Sequence, residues 1–217
     1  MTKAVLFDFD GTLYFGTQAL NAWCFEEALR AMGRPAPTEE KLNRTVGMTP
    51  DAFSRLILDS DDPALIAEFM DRVYALVPEY IAHHVHPSAE ARKMLEALRG
   101  KAKLAVCSNA HADYLLPMLD ALGMREYFDF VWHVHEGVTK AQAIPKVMRE
   151  LGADYAVFCG DRLEDVESAR AAGIPVAGIR NAAYPWEVDG ADNVAENHAQ
   201  LRVNIEKLLS QEEGTDL

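Results

Sequence analysis

Short apolar runs alternating with amphipathic helical patterns constrain this chain most. Five runs fit buried strands, at 4–9, 103–108, 129–134, 155–159 and 174–179. From the second run onward, helical segments separate them. "SAEARKMLEALRG" carries Ser88 as an N-cap candidate, Met94, Leu95 and Leu98 on one face, and Gly100 as terminator. "ADYLLPMLDALG", "KAQAIPKVMRELG" and "LEDVESARAAG" repeat the scheme, each closed by Gly. Strands joined by helices must run parallel, because each crossover carries the chain back to the same sheet end. The pattern predicts a doubly wound parallel-sheet, Rossmann-like α/β core.

Residues 16–82 break this rhythm. They hold no convincing strand but four helical stretches, with Thr49-Pro50 and Asp62-Pro63 as helix-start signals. Pro78 is expected to kink or end the last of them. The segment reads as an inserted all-helical module, giving a core of residues 1–15 and 83–217 and a helical domain of 16–82. The tail from Ser210, "SQEEGTDL", is expected to fray.

Composition narrows the function. The 217 residues are 49% hydrophobic and 25% charged, ordinary for a folded soluble chain, with a formal net charge of −13. That acidity argues against a nucleic-acid binder, whose affinity rests on Lys and Arg, but allows a small anion held by local donors. Cys24, Cys107 and Cys159 form no CxxC pair, and two lie in apolar runs, which points to a reducing, cytoplasmic setting. No signal peptide and no membrane span is expected.

The stretch "AVLFDFDGTLY" at 4–14 then stands out, since an apolar strand ends on Asp8 and Asp10. Carboxylates resist burial unless a cation or hydrogen bonds compensate them. In parallel sheets, ligands bind beyond the carboxyl ends of the strands. Asp8, Asp10, Ser108, Asn109 and Asp161 all fall at predicted strand ends, with Lys140 in a loop or first helical turn. Singly, each has a plainer reading. Asp8 and Asp10 suit an Asx turn, Ser108-Asn109 a helix N-cap, and Asp161 and Asp165 the positive end of a helix. Lys140 read singly is a solvated lysine, although a cation in a helix's first turn opposes the macrodipole and hints at a nearby carboxylate or phosphate.

Taken together, "DFDGT" at 8–12, Ser108, Lys140 and "GDRLED" at 160–165 resemble the four motifs of the haloacid dehalogenase superfamily. The helical insert after the first motif is similar to the subgroup containing phosphoglycolate phosphatases and β-phosphoglucomutases. The resemblance implies a hydrolase in which Asp8 attacks phosphorus and Asp10 serves as acid and base. It implies Mg²⁺ held by Asp8, Asp161 and the Asp10 carbonyl, with Asp165 acting through water. Ser108 and Lys140 would hold the phosphoryl group, with Gly11, Thr12 and Asn109 around it. The expected substrate is a small phosphate monoester, and the expected assembly a monomer or homodimer. A phosphosugar mutase and a non-catalytic phosphate-binding protein on the same fold are the alternatives.

Some positions depart from the family's habit. Ala141 follows Lys140 where relatives often have Pro, so Lys146, after Pro145, competes for the same role. Arg162 stands where Ser or Thr is common, and Arg44 in "RTVGM" carries no clear assignment. The histidine groups at 83–86 and 133–135 fit no zinc spacing. The first is expected to be a solvated hinge; His135 and Glu136 are expected to be structural. Trp23, Phe25 and Phe53 are expected in the core of the helical insert, with one or two facing the substrate.

Overall fold

The computed structural model describes residues 1–182 and 184–211. Strand β1 (Lys3–Phe7) opens the chain, and four helices follow before the next strand. These are α1 (Thr17–Ala31), α2 (Glu39–Thr45), α3 (Pro50–Leu58) and α4 (Pro63–His84). The remainder runs α5 (Ala89–Leu98), β2 (Lys103–Cys107), α6 (Ala112–Ala121), β3 (Phe130–Trp132) and α7 (Lys140–Leu151). It ends with β4 (Tyr155–Gly160), α8 (Leu163–Ala171), β5 (Val176–Ile179), β6 (Asn193–Ala195) and α9 (His198–Gln211).

All pairings are parallel and the sheet order is β3-β2-β1-β4-β5-β6. The strand order reverses at β1, so a crevice is expected beyond its carboxyl end, between β2 and β4. Register aligns Phe7 with both Val106 and Cys159, bringing the residues after each strand to one rim.

Alternation along the strands feeds two cores. Val5, Phe7, Val106 and Val157 pack on the face covered by α5, α6 and α9. Leu6, Ala105, Ala156 and Phe158 pack on the opposite face against α7 and α8. Burial on both faces is why these strands read as unbroken apolar runs. Truncating a fully buried ring such as Phe158 to Ala is worth about 3–5 kcal/mol.

Several start signals hold as read. The side chains of Thr49, Asp62 and Ser88 accept from Ala52, Ala64 and Ala91 backbone N–H groups at 3.4, 3.0 and 3.3 Å. Pro78 does not end α4, which continues to His84. The proline lies on the exposed side, while Val73, Val77 and Tyr80 anchor the buried side before and after it. The strand expected at 129–134 is shorter, and β6 was not foreseen. Residues 212–217 of the expected fraying tail lie outside the described residues, whereas Ser210 and Gln211 belong to α9. Among the described residues, no helix is long and apolar enough to cross a membrane.

Candidate active site

The first strand ends in a tight loop that brings its acids to the rim. Asp8 N–H donates to Cys159 O at 2.8 Å, extending the β1–β4 pairing by one step. Gly11 turns the chain with φ of +81°, and a Cβ there would lie 1.9 Å from Asp161 Oδ2. Only glycine permits both the left-handed backbone and that approach. Thr12 Oγ1 donates to Asp161 Oδ1 at 3.3 Å, and the Thr12 carbonyl meets His198 Nε2 at 2.8 Å, tying the loop to α9.

Beside it, Asp8, Asp161 and Asp165 offer carboxylate oxygens within 4.8 Å of one another, all buried. Lys140, the first residue of α7, places its ammonium 3.1 Å from Asp8 and 2.5 Å from Asp165. That ion pair explains a cation at the wrong end of the helix dipole. Asp165 also accepts from the Asp161 and Arg162 backbone N–H groups at 3.1 Å each, so both its oxygens are engaged. Lys146 is exposed on the same helix, 5.5 Å over the Trp132 ring and outside the cluster. Of the two lysines, the structure brings Lys140 to the carboxylates and leaves Lys146 away from them.

Three buried carboxylates share one buried cation, and the titration behaviour follows. Burial raises the Asp8 carboxyl well above its usual range against the pull of Lys140, and the other aspartates add to the rise. Burial and the neighbouring Asp165 push Asp161 up to about 7. Burial pulls Lys140 down, yet Asp165 and Asp8 outweigh it and keep the ammonium charged. An all-oxygen, anion-rich set with a single lysine fits a hard divalent cation.

Asp10 is set apart. One of its oxygens, Oδ1, accepts from Thr17 Oγ1 at 2.6 Å and from the Tyr114 hydroxyl at 2.7 Å. Burial raises its carboxyl, while those two hydrogen bonds hold the rise in check. Its side chain therefore faces α1 and α6, and lies outside the carboxylate group of Asp8, Asp161 and Asp165.

Ser108 follows β2 at the same rim, its N–H bonded to Trp132 O and its hydroxyl accepting from Ala110 N–H at 3.1 Å. The N-cap reading of Ser108-Asn109 does not hold, since His111 caps α6 through Asp113 N–H. Asn109 instead bridges two elements, its amide donating to Gly47 O at 3.3 Å and Glu164 Oε1 at 3.1 Å. Arg162 makes a parallel link, donating to Val46 O at 3.1 Å while it pairs with Glu187 at 2.6 Å. These contacts fasten the α2–α3 loop over the rim. Arg44 is exposed in α2 and contributes nothing to this contact.

Thr17, Tyr114 and Asn181 are participants that sequence reading missed. Asn181 directly follows β5 and its arginine neighbour, and donates to Asp161 Oδ2 at 3.2 Å, so the strand-end rule reaches it. Tyr114 sits in an apolar helical run and carries no such signal. The histidines at 83–86 form no metal group among the described residues, and His84 packs against Tyr80 with ring centres 4.7 Å apart. Trp23 packs in the helical insert near Tyr80, whereas Phe25 and Phe53 pack with tilted rings, centres 5.1 Å apart, and line a cavity beside Asp10.

Residues 5–179 match the haloacid dehalogenase-like hydrolase family. The chain belongs to the haloacid dehalogenase-like hydrolases. As such it is a phosphoric monoester hydrolase similar to phosphoglycolate phosphatases. One from Rhodospirillum rubrum is 34% identical, with 81% of this chain and 78% of that protein aligned. Solved structures share the fold. A predicted phosphoglycolate phosphatase from Haemophilus somnus 129pt has a TM-score of 0.80 at 22% identity, over 94% of this chain and 98% of the other. A β-phosphoglucomutase from Clostridium difficile has a TM-score of 0.77 at 16% identity, over 98% and 99%. Phosphatase and mutase thus share this haloacid dehalogenase-like architecture, and the residues around the rim must separate them.

Proposed function

We propose that this hydrolase cleaves a small phosphate monoester in two steps through an aspartyl-phosphate, an acyl phosphate, on Asp8. The observation that carries the reading is the pairing of two different acids at one rim. Asp8 lies in an anionic group beside Lys140, while Asp10 is held separately by Thr17 and Tyr114.

Such a division suits the chemistry. In the first step an Asp8 oxygen attacks phosphorus, the P–O bond to the alcohol breaks, and Asp10 gives its proton to the departing oxygen. In the second, Asp10 takes a proton from water as that water attacks phosphorus. The Asp8–phosphorus bond then breaks and inorganic phosphate leaves. A carboxyl raised by burial can carry the proton in step one and, once ionised, accept one in step two. Lys140 and Ser108 would hold the phosphoryl oxygens.

The carboxylates of Asp8 and Asp161 with the Asp10 carbonyl would hold Mg²⁺, and Asp165, with both oxygens engaged, would act at one remove. The ion supplies positive charge against the phosphoryl oxygens and the clustered carboxylates. Helices α1–α4 would act as a cap that opens to admit substrate and closes to exclude water, so small esters enter and folded phosphoproteins do not.

The test is hydrolysis of p-nitrophenyl phosphate with Mg²⁺, stopped by EDTA. Asp8→Asn is expected to lower kcat by roughly 10⁴-fold or more while circular dichroism is unchanged. Near-normal turnover by that variant rejects Asp8 as nucleophile.

A further inference from the structure

We infer that the alcohol portion of the substrate is uncharged and largely apolar, and that it lodges in the cavity between α1, α3, α4 and α6. The inference rests on the proposed role of Asp10 as proton donor to the leaving oxygen, because the space Asp10 faces is then the leaving group's space.

That cavity measures about 40 Å³, and Asp10, Thr17 and Tyr114 are among the residues that line it. Its walls are mostly Leu20, Phe25, Met48, Phe53, Val73 and Val77. Among the described residues, no lysine or arginine lines it. The guanidinium tied to the nearby loop, Arg162, pairs with Glu187, lies over the Tyr184 ring and donates to Val46 O. His111 accepts Asp113 N–H through Nδ1 and has the Asp113 carboxylate 3.5 Å away. A second carboxylate, such as that of phosphoglycolate, would be buried there without a counter-charge.

The polar wall groups are engaged with one another. Thr17 and Tyr114 donate to Asp10, Asn21 donates to Thr45, and Thr45 donates to Leu42 O. The exception is Tyr74. Its hydroxyl is buried with no hydrogen-bond partner among the described residues, while its ring stacks on His111 at 5.0 Å. Tyr74 lines the cavity while its hydroxyl is covered, so a ligand whose far end shifts that wall would complete the hydroxyl with a single neutral polar atom. The matching class is an aryl, benzyl or short alkyl phosphate bearing a hydroxyl or carbonyl away from the ester. A volume of about 40 Å³ has room for no more than a few waters, so loading such an ester requires the α2–α3 loop to lift from Asn109 and Arg162.

The experiment measures binding apart from turnover. Calorimetry on Asp8→Asn with Mg²⁺ compares benzyl phosphate, 3-hydroxybenzyl phosphate and phosphoglycolate, and kcat/KM is measured for the same esters on the unmodified enzyme. Both aromatic esters are expected to bind roughly tenfold or more tighter than phosphoglycolate. Met48→Lys is expected to narrow that gap, and Tyr74→Phe to narrow the preference for the hydroxylated ester over the plain one. Phosphoglycolate binding as tightly as the aromatic esters overturns the inference, whatever the turnover. Ranking as expected with no turnover of any ester retains the pocket assignment and rejects the hydrolytic reading instead. An unchanged preference in Tyr74→Phe overturns the part given to its hydroxyl.

Discussion

The Tyr114 hydroxyl reaches across 104 positions of sequence to donate to Asp10 Oδ1 at 2.7 Å, on the same oxygen that Thr17 binds at 2.6 Å. Both donors favour the ionised carboxylate, and burial favours the neutral acid. Their balance sets how readily Asp10 can be acid in one step and base in the next.

Tyr114→Phe removes one side of that balance with almost no change in volume. The Asp10 carboxyl, already raised, should rise further, so the base needed for the second step forms only at higher pH. The acidic limb of the kcat profile is expected to move upward, with kcat near neutrality falling roughly tenfold, as for loss of one hydrogen bond to a charged group. A pH–rate series checks this. A drop in stability with an unmoved limb would mean that the hydroxyl merely packs.

Much of this architecture is legible in the sequence because parallel strands are apolar on both faces and their ends are punctuated. Asp8, Ser108 and Asp161 follow buried runs, so the strand-end rule alone gathers them before any coordinates. Lys140 is legible for a different reason, since its position against the helix dipole hints at an anionic partner, and Asp8 and Asp165 supply it. Strand β6 is not legible, for three residues carry no period and Asn193 reads as a turn. Pro78 misleads because the handicap of proline is local, while the buried side of α4 is held on both flanks. Tyr114 and Tyr74 escape notice because a tyrosine on an apolar helix face looks like core until its hydroxyl's surroundings are known.

The two lysines of α7 give opposite expectations. Lys140 is 4% exposed and pairs with two buried carboxylates, so Lys140→Met leaves both without a cation. The expected cost is about 3–5 kcal/mol, with activity lost by two orders of magnitude or more. Lys146→Met touches only an exposed cation over Trp132 and should change stability by less than about 1 kcal/mol, with activity retained. Urea denaturation and the phosphatase assay, run on both variants, check the contrast. Equal effects from the two substitutions would remove Lys140 from its assigned place.

Stability should also depend jointly on metal and pH. Asp161 has a folded-state value of about 7, raised from an ordinary 3.8 by burial and by Asp165, and Asp8 is raised in the same sense. A carboxyl raised on folding stabilises the folded chain fully below its unfolded value, and that contribution is lost as pH climbs through the folded value. Without metal, these groups therefore weaken the fold progressively between about pH 4 and pH 7. A divalent cation reverses the sign, since it binds the ionised form and competes with protons. Mg²⁺ at a hundred times its dissociation constant contributes about 2.7 kcal/mol, or roughly 5–10 °C in Tm for a chain of this length. The increment is expected near pH 8 and should shrink towards pH 5, where protons hold the site. Thermal unfolding with Mg²⁺ or EDTA at both pH values measures it. An increment of equal size at the two values would mean that the ion binds elsewhere, away from Asp8 and Asp161.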